Sequence, residues 1–333
     1  MTTHDDTQAA LELDDLPEDA APLADAKIEE IIEELPEADE GDLELVVGAD
    51  PVARSQFQLI TRRFLRHKAA VISLLALIVI FVMCFGARWT APFPQNQQDL
   101  LAPVVGPSRA HWFGVDQLGR DYYTEVLYAG QISLKIGLSV GIISTVIGFA
   151  AGAIAGYFGG AVDNVLMRFT DLFLVIPAIA VLAVALKGFG FKDITIILVL
   201  AGLAWMTIAR VVRSQVLALR EKEFVEAARA SGSSSTRIIL RHILPNMIGP
   251  LMVMATLGIA AAIIAEATLS FLGFGVQPPK TSWGKMLSDA EGVIGGPQAY
   301  LLYFPGFMLL LVVLCINFVG DGLRDAFDPQ AKH

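Results

Sequence analysis

The stretch "GLSVGIISTVIGFAAGAIAGY" (residues 137–157) decides the fold class, because it is a long apolar run without a charged side chain. A helix of about 20 apolar residues spans the hydrocarbon core of a bilayer. Gly148, Gly152 and Gly156 recur every four residues, so they lie on one helical face. A neighbouring helix can approach such a face closely. The pattern predicts a membrane-spanning helix inside a tightly packed bundle.

The rest of the chain has the same character. Of its 333 residues, 54% are hydrophobic and 17% are charged, and the mean hydropathy is +0.58, which is typical of an integral membrane protein. Apolar runs predict six crossings, at about 69–89, 132–157, 171–187, 194–212, 250–272 and 301–319. We therefore expect an all-α integral membrane protein with a six-helix bundle over 69–320. Pro177 should kink the third and shortest crossing.

Charge is unevenly distributed along the chain. Residues 1–53 contain 18 acidic residues and one basic residue, whereas the whole chain has a formal net charge of −10. Such a segment cannot bury enough apolar surface to become ordered, so we expect a disordered, acidic cytoplasmic tail over 1–53. Residues 54–68 are basic, and apolar residues alternate there with arginines and one lysine. This segment predicts an interfacial helix that binds anionic lipid headgroups.

The lysines and arginines also indicate the orientation in the membrane. With the N-terminus inside, 16 of the 24 basic residues fall on the cytoplasmic side, as the positive-inside rule requires. We therefore expect a multi-pass protein of the cell (inner) membrane with both termini cytoplasmic, and a C-terminal tail over 321–333. Cys84 and Cys315 lie in separate apolar runs and are expected to be free thiols.

The sequence lacks the motifs of an enzyme. No glycine-rich nucleotide-binding loop is present, and "SWGKM" (282–286) has neither the upstream glycine nor the hydroxyl residue of that motif. The five histidines are scattered without metal-ligand spacing. We expect no catalytic residue, no metal and no cofactor in this chain, and no nucleic-acid partner. Uphill transport would take its energy from a partner or from an ion gradient.

The predicted connection between the fourth and fifth crossings, residues 213–249, is much longer than most helix connections in a bundle. "REKEFVEAARA" (220–230) predicts a short helix, and Gly232 should end it in a left-handed conformation. A second short helix should follow, capped by serines and broken by Pro245 and Asn246. Long loops with their own structure are usually functional.

The outward surface of this loop predicts contact with another protein. Ala227 and Ala228 give the first helix a small, smooth face on which a partner's groove can close. Glu226 and Arg229 offer charge pairing at its rim.

The segment "EAARASGSSSTRIILRHILPN" (226–246) resembles the EAA loop of binding-protein-dependent ABC importer permeases. Its Glu-Ala-Ala, its Gly232 and its closing Leu-Pro match the skeleton of that loop, and His242 departs from it. Three further stretches resemble the C-type subunit of the dipeptide/oligopeptide (peptide/nickel) branch: "HWFGVDQLGRD" (111–121), "EATLSFLGFG" (266–275) and "NFVGDGLRDAFDP" (317–329). The resemblance covers about 55–330 and excludes the acidic tail.

The resemblance implies a type I ABC importer permease. Its partners would be a second homologous permease in a heterodimer, two cytoplasmic ATPases that bind ATP and Mg, an extracytoplasmic substrate-binding protein and membrane lipid. The substrates would be di- or oligopeptides; nickel or another small solute is the alternative within the branch. The residues implied in coupling to the ATPase are Glu223, Glu226, Ala227, Ala228, Arg229, Gly232, Arg241, His242, Leu244 and Pro245.

The resemblance leaves other classes and several residue roles open. An ion-gradient-driven secondary transporter is the main rival, although its paired inverted halves are not visible in the sequence; a scaffold or receptor that acts through the tail is another. Glu266 and Asn317 are candidates for the substrate path. Glu266 could instead pair with Lys135 or cap a broken helix, and Asp171 should cap the third helix.

The external loop before the second crossing has two interpretations. Trp112, Asp116, Arg120 and Asp121 either contact the binding protein or form a structured loop in which the charged residues pair with one another.

Overall fold

The computed structural model describes residues 56–99, 104–190 and 192–327. The acidic tail predicted over 1–53, and the end of the C-terminal tail, lie outside these residues. Within them the chain is helical, and its β structure is limited to an isolated bridge between Val115 and Asp121. The predicted all-α class is confirmed for this part of the chain.

Twelve α-helices follow one another along the described chain. The helices are α1 (Gln56–Arg66), α2 (Lys68–Phe85), α3 (Ala87–Thr90), α4 (Tyr122–Phe158), α5 (Gly160–Val175), α6 (Ala178–Phe189), α7 (Asp193–Leu219), α8 (Glu223–Ala230), α9 (Ser235–Ile238), α10 (Leu244–Phe271), α11 (Trp283–Asp289) and α12 (Tyr300–Phe327). A π-helical segment, Ile239–Ile243, joins α9 to α10, and a 3₁₀ turn, Glu291–Val293, follows α11.

Five helical spans in the described chain are long and apolar enough to cross a membrane, or six if the bent pair α5–α6 counts as one span. The four long ones extend beyond the predicted crossings, because polar turns continue the helices outside the apolar runs. We call the end of the bundle that carries α8 and α9 the loop end. The opposite end, which carries α11, is the far end.

The glycine face predicted on α4 packs against α7. A Cβ atom on Gly148 would lie 2.7 Å from the Ile208 Cβ, and one on Gly152 would lie 2.4 Å from the Ala209 carbonyl oxygen. Real Cβ atoms do not approach other atoms so closely, so glycine is required where the two backbones meet. The prediction of a close helix contact on this face is therefore confirmed.

The third crossing differs from the prediction. Instead of one kinked helix over 171–187, two helices, α5 and α6, meet at an angle of 86°. Pro177 immediately precedes the first residue of α6. A helix does not use the backbone N–H at that position, so the proline costs it no hydrogen bond. Asp171 lies inside α5 and forms an ion pair with Arg210, so the prediction that it caps the third helix is wrong.

The predicted break at Pro245 and Asn246 is also absent. The chain is helical from Ser235 to Phe271, and Pro245 occupies the first turn of α10. The π-helical segment before it changes the hydrogen-bond pattern, and the Asn246 side-chain amide donates to the His242 carbonyl oxygen at 2.7 Å. The helix therefore continues through the proline.

Buried side chains form three apolar clusters, which lie near the far end, between α4, α6 and the first turns of α7, and at the loop end. Cys84 and Cys315 are buried and free, as predicted. On α1, the bases Arg62 and Arg66 are exposed, which fits the predicted interfacial helix.

Candidate functional site

Helix α8 has one buried face and one exposed face. Val225 and Ala228, three residues apart, are buried against Val216 at the end of α7 and Met247 at the start of α10. The i, i+3 spacing places both side chains on one side of the helix. Because the helix has only eight residues, this packing and not its intrinsic propensity holds it in place.

The exposed face of α8 carries Glu223, Glu226 and Ala227, with Phe224 40% exposed. The expectation that Ala227 and Ala228 form one outward surface is wrong, since Ala228 points into the bundle. The helix therefore presents two carboxylates, the methyl groups of Ala227 and Ala230 and part of an aromatic ring to a partner.

Arg229 is exposed, but its guanidinium carbon lies 5.9 Å from the centre of the Tyr157 ring at the end of α4. A cation over an aromatic face is attracted to the ring. This contact links α8 to the bundle, so Arg229 does more than supply charge at the rim.

The bend after α8 has the geometry that the sequence predicted. Gly232 has φ +75°, and a Cβ atom there would meet nothing within 4 Å. Its N–H donates to the Arg229 carbonyl, and the Ser233 N–H donates to the Ala228 carbonyl. The left-handed backbone, and not a shortage of space, therefore requires glycine at this position.

The second arm returns the chain to the bundle. The Ser234 hydroxyl accepts from the Arg237 N–H at 3.4 Å, which confirms a serine cap. Ile238 and Ile243 are fully buried beside Val225. Of the predicted coupling positions on this arm, Arg241 and Pro245 are exposed, whereas His242 and Leu244 are partly buried.

Ion pairs that sequence reasoning missed connect α5 to α7 near the loop end. Arg213 binds the Asp163 carboxylate through two nitrogens, and Arg210 pairs with Asp171. The sequence contains two acids on α5 and two arginines on α7, but only the fold shows that they face each other.

At the far end the charged residues of the external loop pair locally. Arg120 binds the Asp116 carboxylate through its Nε at 2.7 Å and a terminal nitrogen at 2.6 Å. Asp121 caps α4 through the Thr124 N–H and contacts His111 at 2.9 Å. The expected pairing of Asp116 with Arg120 is confirmed, whereas Asp121 has other partners.

Two features of this loop remain open to a partner. Trp112 is 57% exposed. A cavity of about 350 Å³ lies between the loop, α4 and α11, lined by Asp116, Arg120 and Glu125 among others.

Glu266 is fully buried and is held by serines. Its carboxyl oxygens accept from Ser270 at 2.7 Å and Ser133 at 3.2 Å, and Ser270 contacts Ser282. Lys135 pairs with Asp193 instead, so the alternative in which Glu266 pairs with Lys135 is wrong. This geometry supports a structural role for Glu266, which lies near the C-terminal end of α10. Asn317, on α12, is partly buried.

Within the described residues, no group of three His, Cys, Asp or Glu side chains could hold a metal ion. The described chain is therefore a helical bundle with two short helices, α8 and α9, at one end and a charged loop at the other. The chain belongs to the family described as the binding-protein-dependent transport system inner membrane component, whose sequence profile matches residues 148–333. The N-terminal TM domain of oligopeptide transport permease C matches residues 55–103.

Two similar proteins carry the names of oligopeptide and dipeptide permeases. The chain is 42% identical over 281 residues to the oligopeptide transport system permease protein OppC of Mycobacterium tuberculosis, covering 84% of this chain and 96% of the relative. It is 38% identical over 289 residues to the dipeptide transport system permease protein DppC of Bacillus subtilis, covering 85% and 90%.

A solved structure supports the fold. The MetNI methionine ABC transporter in an inward-facing conformation matches with a TM-score of 0.50 and 21% identity, covering 61% of this chain and 96% of the matched chain. The chain is thus a multi-pass membrane permease component. Its family implies ATPase partners and a substrate-binding protein.

Proposed function

We propose that this chain forms half of the transmembrane path of an ATP-driven peptide importer. The names of its relatives, which describe oligopeptide and dipeptide permeases, support peptides as substrates. In this proposal a second homologous permease forms the other half of the path. Two cytoplasmic ATPase subunits bind ATP and Mg and supply the energy, and this chain has no catalytic residue.

In the proposed orientation the loop end faces the cytoplasm, together with both termini. Helix α1 lies on the membrane surface with its arginines at anionic headgroups, so lipid is a partner as well. The far end then faces the substrate-binding protein, and Trp112 and the charged loop around Asp116, Arg120 and Asp121 are the surface we assign to it.

The observation that carries the proposal is the division of α8 into two faces. Its buried face joins the ends of α7 and α10, and its exposed face offers Glu223, Glu226 and Phe224 to a protein groove. A partner that binds the exposed face can therefore move two membrane helices together. We infer that the ATPase docks on α8 and on the adjacent Arg241 and Pro245, and drives the change between inward-facing and outward-facing states.

Three substitutions in the reconstituted complex test the coupling. Glu226→Lys reverses a charge on the exposed face, and Gly232→Val places a β-branched residue in a left-handed bend, where a non-glycine residue costs about 1–2 kcal/mol. Gly232→Asn is the matched control, because asparagine adopts this conformation more readily.

We expect Glu226→Lys and Gly232→Val to abolish peptide uptake and substrate-stimulated ATP hydrolysis, while Gly232→Asn retains most of both. The amount of permease in the membrane should be equal in all variants. Full substrate-stimulated hydrolysis with Glu226→Lys would show that the ATPase does not depend on this face.

A further inference from the structure

Two lysines share one buried carboxylate at the far end of the bundle. Asp193, the first residue of α7, lies 2.8 Å from the Lys280 Nζ and 3.4 Å from the Lys135 Nζ, and both nitrogens contact its Oδ2 atom. Lys135 belongs to α4, and Lys280 belongs to the connection between α10 and α11. The cluster therefore joins three parts of the fold.

The cluster has an excess of positive charge that faces outward. The Asp193 side chain is 8% exposed, whereas those of Lys135 and Lys280 are 52% and 56% exposed. One carboxylate neutralises one ammonium, so one positive charge is left. Lys187 and Lys192, at the turn between α6 and α7, are also exposed and add to the positive charge.

The cluster lies at the edge of the apolar part of the bundle. No charged residue occurs in α4 after Lys135, from Ile136 to Phe158, and that stretch has the length that crosses a hydrocarbon core. Asp193 likewise precedes an uncharged stretch of α7 that continues to Arg210. Both residues therefore lie at the depth of lipid headgroups.

An exposed apolar surface continues from the cluster along the same helices. On α4, Leu138 and Ile142 are 42% and 50% exposed, and their spacing from Lys135 places them on its face of the helix. On α7, Ile194 and Leu198 are 55% and 57% exposed. A basic group above an exposed apolar strip is the chemistry that a phospholipid complements, since its phosphate and its acyl chains are joined in that order.

We propose that Lys135 and Lys280 bind the phosphate of an anionic phospholipid whose acyl chains lie along Leu138, Ile142 and Leu198. The phosphodiester supplies the one negative charge that the cluster lacks. Bound there, the lipid stabilises the junction between α4, α7 and the α10–α11 connection. The assignment to the outer leaflet rests on the proposed orientation of the permease, but the site itself does not.

The proposed lipid site also gives a reason for the exposed lysines at the far end of the bundle. Basic residues are depleted from external segments of membrane proteins. In the proposed orientation, four exposed lysines nevertheless gather at the far end, with Asp193 as the acid that pairs with two of them.

The test uses the full-length protein, purified in mild detergent with its co-purifying subunits. Native mass spectrometry counts bound dioleoyl phosphatidylglycerol and, separately, dioleoyl phosphatidylcholine. Lys135→Gln removes the excess charge but leaves the closer Asp193–Lys280 pair intact, so the fold is preserved. Lys135→Arg keeps the charge. Lys285→Gln is the matched control, because Lys285 lies at the same end but pairs with its own Asp289.

We expect Lys135→Gln to weaken phosphatidylglycerol binding roughly fivefold, the contribution of one basic residue near an anionic lipid. Lys135→Arg and Lys285→Gln should bind as the wild type does, and phosphatidylcholine binding should be unchanged throughout. Inorganic phosphate should not displace the lipid, because it lacks acyl chains. Equal phosphatidylglycerol binding by Lys135→Gln and wild type would overturn the proposal.

A peptide carboxylate is the other anion that could reach the lysines. Uptake of a peptide with a free C-terminus, compared with its amidated form, separates this case. We expect the ratio of the two uptakes to be the same in Lys135→Gln and wild type. A ratio that falls only in Lys135→Gln would assign the lysines to the substrate and exclude the lipid. The lipid measurement needs no transport, so its outcome is independent of the coupling tests on α8.

Discussion

The contact between α4 and α7 can be tested with two substitutions that are chemically identical. A Cβ atom on Gly152 would lie 2.4 Å from the Ala209 carbonyl oxygen and 2.7 Å from the Val212 Cβ, whereas one on Gly202 would meet nothing within 4 Å. Both glycines lie inside long helices. Gly152→Ala must push the helices apart, because a carbonyl and a β-branched side chain cannot rotate away. Gly202→Ala needs no adjustment.

The difference between the two variants isolates the cost of the clash. Replacing glycine by alanine inside a helix is favourable by about 0.8–1 kcal/mol, and this term is common to both. Overpacking at a close contact costs about 1–3 kcal/mol, and only Gly152→Ala incurs it. We therefore expect Gly152→Ala to be about 1–3 kcal/mol less stable than Gly202→Ala.

The assay is thermal unfolding of the purified protein in one detergent at one protein concentration. The unfolding midpoint of Gly152→Ala should fall below that of wild type, and the midpoint of Gly202→Ala should equal or exceed it. If both variants shift by the same amount, α4 and α7 are not in backbone contact and the packing described above is incorrect.

Three further predictions concern buried polar groups and the far end. Glu266→Gln should leave the unfolding midpoint near that of wild type, whereas Glu266→Ala should lower stability by about 1–3 kcal/mol because the Ser270 hydroxyl loses its acceptor. Trp283→Ala should cost about 3–5 kcal/mol, since the side chain is fully buried, and should speed proteolysis of the segment between α10 and α12. Asp163→Asn should lower the free energy of unfolding by about 1–2 kcal/mol. This loss is smaller than that for breaking a fully buried ion pair, because the Arg213 side chain is 34% exposed. A double-mutant cycle with Arg213→Gln should show coupling between the two residues; additive effects would contradict their pairing.

Features with a local cause could be predicted from the sequence. The glycine face of α4 follows from a four-residue spacing, and the bend at Gly232 follows from the one residue type that adopts a positive φ without strain. The membrane class follows from the apolar runs. In each case the residues that decide the structure are neighbours on one helix or in one turn.

Features that depend on tertiary contacts could not be predicted in this way. Pro177 indicated a kink, but neither the angle of 86° between α5 and α6 nor the pairing of Asp163 and Asp171 on α5 with arginines of α7 could be read from local sequence. Pro245 suggested a break, yet it lies in the first turn of α10, directly after the π-helical segment, and the chain stays helical there. The serine environment of Glu266 brings Ser133 of α4 to a carboxylate that is 133 residues away in sequence.

The contacts of α8 determine how a movement at the loop end would spread through the bundle. Its buried Val225 and Ala228 lie in one apolar cluster with Val216 of α7 and Met247 of α10, so under the proposed coupling role a displacement of α8 acts on both helices. Helix α7 is in backbone contact with α4 through Gly152 and is ion-paired to α5 through Arg213. Helices α4 and α7 therefore move together as one rigid unit, because where their backbones are in contact there are no side chains between them that could change conformation.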